Sequence, residues 1–195
     1  MAATIKPTLA QAKKLKGVKQ ILVTPYEDGL EGALQLGSTA YQLDNIVADT
    51  TSITQDDPET TDIECETRDE PIDTVTTLGS YQFTTTSADV QKELLTNIMG
   101  FKEDTSSKIL YAPASYKDLY AEIRIIFNSK DALVLPKVKL NNKIVAETLK
   151  TGLVQATIAG TAFSKEVTIN EEPAQTPFYI VPSNGTDAKA PTGGE

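Results

Sequence analysis

Gln55–Asp73 reads QDDPETTDIECETRDEPID. Nine of its residues are Asp or Glu and only Arg68 opposes them, so −8 of the chain's net −9 sits in this one stretch. Three readings compete for it: a metal cradle, a disordered acidic linker, or a loop built to meet something outside its own subunit. Its interior is patterned. Asp62, Glu64 and Glu66 alternate with Ile63 and Cys65, and a period of two is the strand period. This predicts a half-buried strand with three carboxylates outward and Ile63 and Cys65 inward. TQDDPETT before it is polar and holds a proline, so it reads as a loop. TRDEPID after it reads as a turn. TVTTLGSYQFTTTS then resumes strand character through Val75, Tyr81 and Phe83. Residues 50–75 are therefore expected to form an acidic loop or hairpin.

Downstream, TTSADVQKELLTNIMG predicts an amphipathic helix over 87–99. Thr86 or Ser87 would cap it and Asp89 would sit in its first turn. Val90, Leu94, Leu95, Ile98 and Met99 form one apolar stripe, and Gly100 supplies a left-handed stop. The stripe needs a sheet to cover.

The remaining elements are strands. GVKQILVTPY is a short one ended by Pro25, and residues 40–54 suggest another. EDGLEGALQLG is punctuated by glycine and reads as a loop or broken strand. LYAEIRIIF places Leu119, Ala121, Ile123, Ile125 and Phe127 on one side. ALVLPKVKL would put Val134, Pro136, Val138 and Leu140 on one face, with Pro136 marking an edge or a bulge because it lacks an N–H. LVQATIAGTAF, KEVTIN and PFYIVP complete the set. Many short strands with one helix and no βαβ rhythm predict a mainly β fold, a β-sandwich or partly open barrel of antiparallel strands with one flanking helix. The domain is expected over 20–181. A basic arm over 1–19 precedes it, with five lysines and no acid, and a disordered tail over 182–195 follows.

Composition limits the function. A sequence pI of 4.6 argues against a nucleic-acid-binding surface, which needs excess Lys and Arg to displace counterions, and equally against docking on anionic membranes. One cysteine excludes an internal disulfide framework. No apolar run approaches the length of a membrane span, and the N-terminus lacks the apolar core of a secretory signal. A cytoplasmic product is expected, used there or exported by other means. With no histidine, Ser-His-Asp and Cys-His pairs and His metal ligands are excluded, and the usual acid–base group near neutral pH is missing. Lys, Tyr and paired carboxylates remain open for catalysis. No phosphate-binding glycine loop is present. DDPETTDIECE lacks the glycine of a calcium loop and carries a proline. Crowded carboxylates raise one another's pKa values, but no Tyr, Asn or Arg set converges on them in the sequence. The expectation is a non-enzymatic protein with no cofactor and no metal.

DDPETTDIECETRDEPID, the strand after it and the helix ADVQKELLTNIMG resemble the tail tube (major tail) proteins of long-tailed bacteriophages. The matching stretches are Asp56–Thr61, Asp62–Glu66, Asp69–Asp73 and Asp89–Gly100, about a quarter of the chain. The resemblance implies a β-sandwich-like subunit with a flanking helix. It implies rings, commonly hexameric, that stack into a hollow tube, and a long hairpin loop that reaches the neighbouring ring. Related tubes occur in contractile tails, pyocin-like particles and type VI secretion. The Lys-rich N-terminus and the Pro/Gly-rich tail depart from the pattern. A subunit made in the host cytoplasm and carried in the virion tail is expected, with itself and other tail proteins as partners. DNA would pass without specific binding, because negative walls repel phosphates. The candidate inter-subunit residues are Asp56, Asp57, Glu59, Asp62, Glu64, Glu66, Asp69 and Glu70, met by Lys13, Lys14, Lys16 and Lys19. The alternatives are a tail terminator or secretion-tube component, and an acidic ligand- or calcium-binding β-module.

Overall fold

Alternation of apolar and polar residues in LYAEIRIIF produces the central strand of a computed structural model that describes residues 17–27, 35–65, 68–112, 118–146, 154–169 and 172–183. In chain order the strands begin with β1 (Val18–Glu27), β2 (Gln35–Leu36), β3 (Tyr41–Leu43) and β4 (Ser52–Gln55). Next come β5 (Glu59–Cys65), β6 (Arg68–Thr77) and β7 (Tyr81–Ser87), then one helix, α1 (Lys92–Asn97). The second half holds β8 (Lys102–Glu103), β9 (Leu110–Tyr111), β10 (Leu119–Phe127), β11 (Ala132–Leu140) and β12 (Lys143–Ala146). It ends with β13 (Val154–Ala162), β14 (Lys165–Ile169), β15 (Glu172–Thr176) and β16 (Tyr179–Val181). The chain is mainly β, and its strands pair antiparallel.

The main sheet runs β2-β1-β10-β11-β13-β7-β4, with β3 also on β1, β12 on β13 and β16 on β11. Its two ends meet the same piece of chain. Residues 41–43 pair with β1. Ile46 bridges Ser87, Val47 donates its N–H to the Thr86 carbonyl at 2.8 Å, and β4 pairs with β7. Sequence alternation suggested one strand over 40–54. It is broken into β3 and β4 because Asn45 and Asp49 take positive φ, a conformation that Asn and Asp tolerate better than branched residues.

Ala121, Ile123 and Ile125 of β10 are buried as the alternation predicts, together with Ile21 and Val23 of β1, Phe83 of β7 and Ile158 of β13. In β11 the predicted face needs correction. Ile123 pairs with Leu135 but Ala121 pairs with Val138, so a bulge lies at Pro136–Lys137. The extra residue reverses the phase of the strand. Leu135, Val138 and Leu140 join the core cluster, and Val134, although buried, does not. On its other side β11 pairs with β16 through Val134 and with β13 from Val138 onward. Pro136 occupies the gap, where no ladder bond is asked of it.

The helix is shorter than predicted. Ser87 does not cap it: β7 runs through Thr86 and Ser87, which pair with Thr157 and Ala156. Ser87 Oγ donates to the Asp44 carbonyl at 2.7 Å. These bonds claim the backbone before a helix can start, so Gln91 becomes the N-cap, without a side-chain cap bond, and Glu93 replaces Asp89 in the first turn. Leu94, Ile98 and Met99 are nevertheless buried in the core, with Val90 and Leu95 packed against it. Gly100 takes φ 75° as the stop requires.

Lys19 is exposed on β1, so the domain begins inside the predicted arm. Residues 1–16 and 184–195, which hold most of that arm and the predicted tail, lie outside the described residues. Replacing Ile123, fully buried between β1 and β11, by alanine is expected to cost about 2–5 kcal/mol, read as a lowered urea midpoint with an unchanged slope.

Candidate assembly surface

Threonine-rich strands favour the extended chain, and β5 and β6 form a hairpin that is a sheet of its own. Glu59 pairs with Thr77, Thr61 with Val75 and Ile63 with Asp73, after which the register shifts and Cys65 pairs with Arg68. The predicted hairpin exists, but its limits move. Glu59–Thr61, read as loop, is strand, and most of TRDEPID, read as turn, belongs to β6. Pro71 falls in the stretch where the register slips.

Ile63 is not inward: it is 46% exposed. The predicted half-buried strand required a layer behind it, and none of the described residues supplies one. Ile72, Val75 and Leu78 are exposed as well, Leu78 at 76%. Residues facing each other across the ladder share a side, so Ile63 and Val75 stand together with Glu59 and Asp73. Asp62 stands on the opposite side and accepts the Thr74 hydroxyl at 2.9 Å.

Asp57 and Glu59 are exposed near the base of the hairpin. The side chains of Glu64, Cys65, Asp69 and Glu70 lie outside the described residues, as do Glu66, Lys13, Lys14 and Lys16. Lys19, on β1, belongs to the main sheet rather than to the hairpin. Asp56 differs from its neighbours. Its Oδ2 accepts Ser80 Oγ at 2.5 Å and Gln82 Nε2 at 3.1 Å, and its N–H donates to the Ser80 carbonyl at 2.9 Å. The Ser80 and Gln82 hydrogen bonds hold its carboxyl below the ordinary range. A Cβ at Gly79 would lie 1.8 Å from the Asp56 carbonyl oxygen. Asp56, Gly79, Ser80 and Gln82 thus form the neck through which the hairpin joins β4 and β7. Sequence reading missed the neck because its partners are separated by the whole hairpin; only the small residues of LGS hinted at a close approach.

A second polar group lies on the main sheet. Tyr26 Oη donates to the Pro136 carbonyl at 2.5 Å, and Lys165 Nζ donates to Tyr26 Oη at 2.7 Å while lying over the ring. Burial pushes the Tyr26 hydroxyl up, reinforced by Glu122 and Tyr179; it also pushes Lys165 down, opposed by the Glu122 carboxylate and helped by Lys137. The group ties β14 to β1 and to the β11 bulge.

Among the described residues no group of three or more His, Cys, Asp or Glu is arranged to hold a metal ion, and no helix is long and apolar enough to cross a membrane. No family model matches the chain, and comparison with curated proteins finds no match.

Gly79→Ala is expected to displace the hairpin base, seen as altered amide shifts at Asp56 and Ser80 while core resonances hold. The Asp56 bonds should also respond to pH. A carboxyl whose folded pKa is lowered contributes fully above the ordinary value of about 3.9 and loses that contribution as pH falls through the lower folded value. Ser80 and Gln82 shifts should titrate in that acidic window, and in Asp56→Asn this titration should vanish.

Proposed function

We propose that the chain is a non-enzymatic structural subunit of a phage or prophage tail tube. Copies assemble into rings, hexameric by the resemblance, and the rings stack into a conduit for DNA. The supporting observation is the β5–β6 hairpin. A two-stranded hairpin is marginal in water by itself, and among the described residues this one leaves both of its edges and three branched apolar side chains, Ile63, Ile72 and Val75, uncovered. Free edges and apolar side chains invite a partner. The carboxylates around them disfavour nucleic acid and anionic lipid, and favour a protein surface bearing lysines.

The fold is consistent with this reading. Because residues 41–55 bond to both ends of the main sheet, we read it as a partly open barrel closed by that segment, a body rigid enough to carry a projecting loop. Complementary patches placed apart on one subunit make heterologous contacts, which close into rings or run on as filaments. In a tail, acidic lumen walls would let DNA slide rather than adhere. The virion tail is the proposed location, and other tail proteins are proposed partners.

Negative-stain microscopy of concentrated protein, alone and with tail-completion proteins, is expected to reveal rings or tubes. Monomers across all salt conditions would overturn the reading, and one closed ring that never stacks would assign the chain to the tail terminators. Reversing Asp57, Glu59 and Asp62 to Lys is expected to abolish assembly without changing the urea midpoint. Asp56 is left intact in that variant because it holds the neck.

A further inference from the structure

Strand β7 carries different chemistry at its two ends. At Tyr81, paired with Gln55 and Ala162, the chain leaves for the hairpin and returns from it. At Ser87 the neighbour is Ala156, which pairs in turn with Ile144 of β12. A groove of about 370 Å³ opens along this half of the strand, from Leu140, level with Phe83, to Ile144, level with Ser87, and is lined also by Met99, Phe101 and Leu119, with Lys143 on its wall. Lys143 is exposed and makes no ion pair among the described residues. Tyr81 and Ser87 are separated by ~20 Å at the usual rise of a strand.

The two surfaces match in kind. On the hairpin, Ile63 and Val75 share a side with Glu59 and Asp73; in the groove, apolar side chains stand beside Asn141, Asn142 and Lys143. Within one copy the described side chains of the hairpin, at 59–63 and 72–78, are exposed. Resting on the self-assembly reading, we propose that the groove beside β12 receives the Ile63/Val75 side of the hairpin of a second copy, with Lys143 meeting Asp73. Donor and acceptor are different surfaces of one copy, so the contact is head to tail. It leaves a free hairpin at one end and a free groove at the other, and so repeats.

Cross-linking tests this directly. In a Cys65→Ser background, one chain carries Val75→Cys and another Ile144→Cys. The two are mixed under mild oxidation, with assembly followed by sedimentation. A disulfide joining the two variants, in excess over like-with-like products, is expected. Assemblies that form without it would overturn the groove contact while leaving self-assembly standing. Absence of assemblies in the parent chain as well would overturn both. Lys143→Glu, exposed and outside the core, is expected to weaken assembly, and adding Asp73→Lys to restore it; parent-like assembly of the single variant would count against the pairing. Protection of the Ile144→Cys thiol by another tail protein, but not by further copies of this chain, would reassign the groove and overturn the proposal.

Discussion

Strand β7 shares hydrogen bonds with β13 on one side and β4 on the other. Its C-terminal half is buried on both faces: Thr85, Thr86 and Ser87 are enclosed although all three carry hydroxyls. Those hydroxyls are satisfied locally, Thr85 with Thr51 at 2.9 Å, Thr86 with Thr157 at 3.3 Å and Ser87 with the Asp44 carbonyl, so their burial carries no unpaired polar cost. The strand cannot shift its register without breaking this set. What lies beyond its two ends, the hairpin neck and the start of α1, is positioned by it.

The second constraint is the bulge at Pro136. It lets one strand serve two partners, β16 and then β13, on the same side. It also turns the Pro136 carbonyl to the Tyr26 hydroxyl, and Lys165 completes the chain of bonds. A proline that would break a regular central ladder therefore sits where the ladder is already interrupted.

The hairpin solves a different problem. A long two-stranded element with free edges is an aggregation hazard unless its edges are guarded. Here the guards are negative charge and a register slip that includes Pro71. Charge of one sign disfavours pairing with an identical hairpin and leaves pairing with a lysine-bearing surface favourable. The neck at Asp56 and Gly79 ties the element to the sheet from its base.

Alternation in LYAEIRIIF and DIECE was enough to determine that the chain is mainly β and that the acidic stretch contains a strand, because side-chain direction along a strand follows from the backbone alone. Leu94, Ile98 and Met99 were legible as core, and Pro136 as an irregularity, for equally local reasons. Tertiary structure decided the rest. Helix α1 starts late because β13 and Ile46 had already claimed the backbone of Thr86 and Ser87, an interaction between segments far apart in the chain. Val134 and Leu135 exchanged faces because one bulged residue reverses a period of two. Ile63 became exposed because alternation tells which side a residue takes but not whether anything lies behind that side. For the same reason Asp56 looked like one carboxylate among nine; only the return of the chain at Ser80 and Gln82 set it apart as the one that holds the hairpin in place.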